Sequence, residues 1–366
     1  MTYVNYPAYH DAGYTSKQLE SLQLLLESHP SIHWIALNPK TGLYEIFVDN
    51  SIMSSFRGCP QSFIYTWVEG YQSLGRSWIL DFGSCFHKMV EIYYKTFRSE
   101  GFDLIDWAVR QGAECWKKFN MDAHSHVKEY ITMNGVKGFC TLLAAYGARF
   151  SSDNERLRVI GTEIAFGHKK EVPLGYVTSA ISKTPYLECF LSGRIDVLVD
   201  DRSSICPLDH KTKGTLRNDP SKGYELDEGP TGYIYAVNSI LPALISELGL
   251  EPEMLNRNCN KILMNYVSKA PTTDPNERFR RLPILKTSYQ LEQYKNRMLI
   301  TAEDLFRTLI RYAESGQVYR DTSKCTNMYG SDCPFIAIDR QGSKENELVV
   351  IKSAFKAGPI WNTETA

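Results

Sequence analysis

Apolar side chains in Phe82–Tyr94 recur at Phe82, Phe86, Met89, Val90 and Tyr93, the three- and four-residue spacing of a helix with one buried face. Trp107–Phe119 and Val136–Phe150 repeat that pattern, and Lys17–Glu27 carries it near the start of the chain. From Arg158 the pattern changes. Val159–Phe166, Tyr186–Leu191, Arg194–Val199 and Ile205–Asp209 are short, β-rich runs separated by glycine, proline and polar turns, which predicts strands. Trp34–Leu37 and Tyr44–Val48 predict a hairpin around Asn38–Gly42. A helix over about Gly232–Leu248 ends near Gly249, Lys261–Val267 reads as a strand, and Tyr289–Gly316 as a long amphipathic helix. The tail from Tyr319 reads as irregular. This order predicts an α/β fold, a central mixed β-sheet flanked by helices. It divides into an N-terminal appendage (1–50), a helical region packing on the core (51–150), a core sheet (151–288), a C-terminal helix with a cysteine segment (289–340) and a tail (341–366).

One hairpin breaks the apolar alternation. In GRIDVLVDDRSSICPLDHKTKG (193–214), each strand carries an aspartate, and the second ends Asp209-His210-Lys211. A turn centred between Arg202 and Ser203 places Asp196 opposite Asp209, because both lie equally far from that point. Directly opposed residues have Cβ atoms about 5 Å apart. Two carboxylates at that distance repel unless a cation lies between them. A divalent metal meets that need, and Mg²⁺ takes one or two carboxylates together with waters and substrate phosphate. Lys211 shares a face with Asp209, while the His210 ring points to the opposite face and leaves its carbonyl for a metal. The competing reading is a surface hairpin with a solvated acidic turn, in which Asp200 and Asp201 are turn residues.

Composition narrows the partner. The 366 residues are 43% hydrophobic with 22 tyrosines, enough for a substantial core, and the net charge is −1. No global field therefore draws a polyanion, and nucleic-acid binding would need local basic strips. NERFRRL (276–282), with Arg278, Arg280 and Arg281, is one such strip, and Lys211, Lys213 and Arg217 beside the hairpin form another. Each is equally an ordinary solvated strand end. No run of about 18 apolar residues predicts a membrane span, and the first residues lack the pattern of a secretion signal. Nine cysteines, an odd number, predict free thiols and a reducing compartment.

The hairpin GRID…PLDHKTKG resembles the core of the PD-(D/E)xK nucleases, a restriction-endonuclease-like fold, and specifically its RecB-like branch of CRISPR-associated and phage exonucleases. Further segments follow in the family's order between about residues 51 and 340. FGSCFHKMVEIYY (82–94) is similar to the helix with a metal-binding histidine, here His87, with Glu91 on the same face. GTEIAFG (161–167) resembles the strand whose glutamate would be Glu163, SIMSSFRGCPQSFIY (51–65) the N-terminal Cys-Pro segment, and KCTNMYGSDCPF (324–335) the C-terminal cysteine segment. GPTGYIYAV (229–237) resembles the Gln-x-x-x-Tyr helix, with Gly229 at the glutamine position and Tyr233 retained.

The resemblance implies a Mg²⁺- or Mn²⁺-dependent deoxyribonuclease, an exonuclease or end-processing enzyme, acting on DNA with a free end in the cytoplasm of a prokaryotic or phage-infected cell. Metal ligands would be His87, Asp196, Asp209 and the His210 carbonyl; Lys211 and Glu163 complete the catalytic set; and Lys213, Arg217, Tyr233, Arg278, Arg280 and Arg281 would contact DNA. Glu163 reads equally well as an ion-pair partner. A [4Fe–4S] cluster is implied at Cys59, Cys325 and Cys333, but such clusters take four thiolates, and Asp339 stands where a further cysteine is expected. Zinc at the three cysteines, or metal-free packing of the segments, are the alternatives. Two other functions share this pattern: a catalytically weakened nucleic-acid-binding or assembly subunit, and a restriction-type endonuclease.

Overall fold

The computed structural model describes residues 4–29, 31–74, 78–96, 103–121, 136–214, 216, 223–270, 275–325 and 332–358. Its strands are β1 (Ile35–Leu37), β2 (Tyr44–Val48), β3 (Tyr71–Ser73), β4 (Arg158–Phe166), β5 (Pro173–Thr178), β6 (Pro185–Leu191), β7 (Gly193–Asp200), β8 (Ile205–Lys213), β9 (Lys261–Ser268), β10 (Phe279–Leu285) and β11 (Phe355–Ala357). The mixed α/β class holds, with the strands shared between two larger sheets and one small one. The chain forms two compact units, each discontinuous in sequence. The first comprises residues 1–75, 166–193 and 292–366, the second residues 76–165 and 194–291. Among the described residues no helix is long and apolar enough to cross a membrane.

The first unit contains a four-stranded sheet in the order β1-β2-β6-β5. The expected β1–β2 hairpin forms with Leu37 opposite Tyr44, and β2 then runs parallel to β6. Thr15 opens the helix Ser16–Ser28 with a capping box, its hydroxyl accepting from Gln18 N while the Gln18 side chain accepts from Thr15 N. Asp49 caps the helix Asn50–Gly58 at 2.6 Å from Ile52 N. An aromatic cluster of Tyr9, Tyr14, Tyr44, Tyr186 and Phe306 closes this core. The tail differs from its irregular reading: Lys344–Ala354 is helical and β11 pairs antiparallel with β3.

The second unit is built on a five-stranded sheet in the order β10-β9-β8-β7-β4. β7 and β8 form the expected antiparallel hairpin, and β8 runs parallel to β9. β8 continues past Asp209 to Lys213, so His210 and Lys211 lie within the ladder. The helices Trp78–Thr96, Leu104–Lys118 and Val136–Arg149 supply the apolar faces read from their spacing; Phe82, Phe86, Trp116 and Phe139 pack in one buried cluster with Val197, Val199 and Leu208 of the hairpin. Burying each such side chain contributes roughly 1.5–3 kcal/mol. Asp227 caps the helix Glu228–Leu248, which lies against β8 and β9 and ends on a left-handed Gly249 with φ 60°.

Candidate active site

The β7–β8 register runs from Asp200↔Ile205 to Val197↔Leu208. The ladder ends at that last pair; carried one step further, the same register would set Asp196 opposite Asp209, as the symmetric turn predicted. The Asp196 side chain continues the pairing: its Oδ2 accepts from His210 N at 3.0 Å. Turn chemistry fixes the hairpin, since Asp200 Oδ1 accepts from Arg202 N and Asp201 Oδ1 from Ser203 N and Ser204 N.

Four charged groups meet at this point. His87, on the helix Trp78–Thr96, has Nδ1 3.1 Å from Asp196 Oδ2. Lys211 Nζ lies 3.0 Å from Asp209 Oδ1 and 2.8 Å from Oδ2. Its hydrogen bond is directed at Oδ1, which leaves Oδ2 buried with no hydrogen bond of its own. The electrostatics follow from burial and these pairings. Burial alone would raise the Asp196 pKa, but the neighbouring His87 and the contact with His210 hold it well below the usual carboxylate range. Asp209 is pushed upward by burial, Lys211 opposing and Asp196 adding to the shift. His87 is raised overall, because Asp196 and then Asp209 outweigh the downward pull of burial. Lys211 is likewise raised, Asp209 overcoming desolvation with Tyr233 assisting, so it stays an ammonium.

Glu163 reaches the same neighbourhood. Its pKa is raised by burial and by Asp196, while Arg194, whose Nη1 is 3.3 Å from Glu163 Oε2, opposes the shift. Glu163 sits in β4 with φ 51°, a left-handed conformation that is rare for a residue with a side chain and clusters at functional sites. Glu163 thus makes the ion pair with Arg194 and also lies close enough to Asp196 to feel its charge. The motif glycine has a steric reason: a Cβ at Gly193 would lie 2.8 Å from the Phe166 ring. Gly229 N donates to the cap residue Asp227 at 2.8 Å, so the expected glutamine position is the first turn of the Glu228–Leu248 helix.

The donor set of two carboxylates and an imidazole, with Asp209 Oδ2 making no hydrogen bond, suits a hard divalent cation. Among the described residues, however, no three or more His, Cys, Asp or Glu side chains converge on a metal position. His87 and Lys211 instead neutralise one acid each. A cation would therefore take over contacts that these two groups now make.

His210 lies behind the acids with its ring fully buried, as the alternation predicts, among Phe86, Tyr94 and Tyr146. Burial pushes its pKa down to about 4 against the opposing pull of Asp196. Its Nε2 is 2.9 Å from Tyr146 Oη and 3.1 Å from Asn265 Nδ2. The ring faces this polar group, which makes it a neighbour of the acids and not a ligand.

The predicted basic strip is corrected by the structure. Arg281 turns inward and donates to Asn265 Oδ1 (2.6 Å), to both Asp153 oxygens (2.7 and 2.8 Å) and to Tyr94 Oη (3.0 Å), its guanidinium lying 4.2 Å above the centre of the Phe150 ring. Those bonds occupy the donors a phosphate would need. Arg278 is also buried, its Nε and Nη2 without hydrogen bonds, while Arg280 is half-buried on β10. Lys213 extends from the end of β8 with Nζ 3.0 Å from Tyr224 Oη. Tyr233, half-buried on its helix, is near enough to act on Lys211. Arg217 lies outside the described residues.

In the first unit Cys59, Cys325 and Cys333 line one cavity of about 330 Å³, together with Asp339. Cys333 N donates to Cys325 O at 2.7 Å, and all nine cysteines are free of disulfides. Asp339 is engaged otherwise, 2.7 Å from Arg320 Nη2 and accepting from Tyr65 Oη at 3.2 Å. Three thiols and a committed carboxylate do not make the four-thiolate set of a [4Fe–4S] cluster. The segments pack through Phe335, Ile338 and Phe355.

Sequence reasoning missed Tyr146, Asp153 and Asn265, whose polar atoms back the site. A signal for Asn265 was present: a lone amide in the apolar strand KILMNYV must find buried partners.

Comparison with known proteins agrees with this geometry. A family model described as the PD-(D/E)XK nuclease superfamily matches residues 51–338. No curated protein matches the chain.

Proposed function

We propose, from the premise that this chain belongs to the PD-(D/E)XK nuclease superfamily and is a metal-dependent nuclease, that its substrate is DNA with a free end, which it hydrolyses as a RecB-like exonuclease or end-processing enzyme. The observation that carries the reading is the two acids just past the end of the β7–β8 ladder, Asp196 and Asp209, with His87 and Lys211 set against them. Asp196, Asp209 and His87 would hold Mg²⁺ or Mn²⁺, and Glu163 completes the acidic wall. The bound metal supplies positive charge that activates water and stabilises the scissile phosphate. Lys211 stays protonated because Asp209 is beside it, and so presents a fixed ammonium to the developing phosphate charge. Asp196 stays ionised beside His87, so the cation displaces no proton from that acid. Lys213, Tyr233 and Arg280 are the candidates for holding the strand, the first beside the catalytic end of β8.

Two observations favour a non-catalytic alternative: the acids are already neutralised by His87 and Lys211, and the glutamine position is a first-turn glycine whose N–H is taken by the cap residue Asp227. Incubating linear and circular DNA with the protein in Mg²⁺, Mn²⁺ and EDTA separates the readings. Metal-dependent loss of linear DNA, abolished in Asp209→Asn, supports the proposal. Digestion of circular DNA would assign a restriction-type endonuclease, and binding in EDTA without hydrolysis in either metal would assign a binding subunit. Undiminished hydrolysis by Asp209→Asn would sink the assigned site.

A further inference from the structure

The buried polar group behind the acids has a definite hydrogen-bond polarity. A guanidinium only donates. Arg281 Nε at 2.6 Å therefore fixes Asn265 Oδ1 as the acceptor and settles the orientation of the amide. Asn265 Nδ2 must then donate, and its neighbours are Tyr146 Oη at 2.9 Å and His210 Nε2 at 3.1 Å. Tyr146 Oη, also 2.9 Å from His210 Nε2, accepts from Asn265 Nδ2 and has its own proton to give, and a hydrogen on Nε2 would crowd a hydrogen of Nδ2, so Nε2 is left as the acceptor. The single proton of a neutral imidazole must then sit on Nδ1. That nitrogen has no hydrogen bond of its own and faces Asp196 Oδ2 at 3.7 Å.

The start of this chain is as firmly held as its end. Arg281 is clamped by both oxygens of Asp153, and Tyr94 Oη donates to Asp153 Oδ2 at 2.8 Å. Asp153, Tyr94, Tyr146, Asn265 and His210 are buried and the Arg281 side chain is only 17% exposed, so water does not scramble these directions.

We infer that Asn265 and Arg281 are positioning residues for the acidic site: they hold His210 as the Nδ1–H tautomer and so present an N–H, not a lone pair, to Asp196. The opposite tautomer would set a lone pair against a carboxylate oxygen and turn that acid away. With Nδ1–H, Oδ2 faces His210 N, His210 Nδ1 and His87 Nδ1, and none of these contacts uses Oδ1. Oδ1 is then the oxygen presented to a cation. The inference rests on reading Asp196 as a metal-site carboxylate, and it assigns Arg281 a role unlike the DNA contact expected of a basic strip.

The test uses the full-length protein labelled with ¹⁵N-histidine, with the His210 signals identified by their loss in His210→Gln. Two-bond ¹H–¹⁵N spectra in EDTA report the tautomer directly, and Mn²⁺ titration followed by electron paramagnetic resonance reports affinity without any turnover. The wild type is expected to show an unprotonated Nε2. Asn265→Asp keeps the shape and the Arg281 contact but can no longer donate, so the proton is expected to move to Nε2 and Mn²⁺ affinity to fall about 10- to 100-fold, the usual scale for residues behind a metal ligand. Tyr146→Phe keeps the Asn265 donor and is expected to retain the wild-type tautomer. A protonated Nε2 in the wild type overturns the inference even if Asn265→Asp does not fold, as does an unchanged tautomer in Asn265→Asp. A wild type with the expected tautomer that neither binds Mn²⁺ nor cleaves DNA would overturn the nuclease reading and leave the tautomer assignment standing.

Discussion

Replacing Arg281 by methionine removes the cation that pairs with Asp153 among the described residues. The pair is bidentate at 2.7 and 2.8 Å, with side-chain exposures of 17% and 5%. Breaking one side of a buried pair costs about 3–5 kcal/mol, because the remaining charge stays buried without compensation. Among the described residues the Asp153 carboxylate retains the Tyr94 hydroxyl alone, and Asn265 Oδ1 loses the Arg281 donor as well. Arg281→Met and Asp153→Leu should therefore each cost about 3–5 kcal/mol. The double variant leaves no stranded charge, and replacing a buried pair by apolar groups is often close to neutral. It should be destabilised by much less than the sum, with a coupling energy of about 3 kcal/mol or more for this shared network. Urea denaturation of the four proteins at pH 7, followed by circular dichroism and fluorescence, measures the cycle. Additive losses, equal within about 0.5 kcal/mol, would refute the claim that Arg281 serves Asp153 and show that its burial is incidental.

Further outcomes follow from the same structure. Lys211→Met should lower hydrolysis about 100- to 1000-fold, the scale of losing one donor to developing charge, yet leave Mn²⁺ affinity undiminished, because Asp209 is released from its ammonium; a parallel loss of Mn²⁺ binding in titration would contradict that division of labour. Asp49 caps its helix from a half-buried position, and desolvation raises its pKa against the pull of Ile52 N and Ser51 N. A carboxyl raised on folding contributes stability at acid pH that is lost as pH climbs through its folded-state pKa. Asn caps as well as Asp, so Asp49→Asn should gain on the wild type between pH 4 and pH 7 in denaturation experiments, and a flat difference would disprove it.

The acidic hairpin was legible because two rules agreed there. The turn residues set the centre of symmetry, and alternation then placed Asp196 opposite Asp209 and turned His210 the other way. The helix bearing His87 was equally clear from its spacing, although nothing in that spacing could show the imidazole 3.1 Å from Asp196. β10 was hidden by its arginines: FRRLPIL reads as a solvated edge until Asp153, distant in sequence, supplies the partner that lets Arg281 turn inward. β5 was hidden by bulges between Pro173 and Gly175 and between Val177 and Thr178, which break its alternation. The left-handed Glu163 lies beyond pattern reading, since the chain there alternates as any strand does while the backbone departs from it.

Asp196 does structural duty as well, because its carboxylate caps the backbone of His210 where the two strands part. Shortening it to alanine would orphan a buried amide, at a cost of about 1–3 kcal/mol, and blur the line between a dead enzyme and a damaged one. The Asp209 side chain, by contrast, accepts from the Lys211 side chain and caps no backbone amide among the described residues. For trapping the protein on uncut nucleic acid, the amide substitution at 209 is accordingly the cleaner instrument, and silence from an alanine at 196 would say little about chemistry.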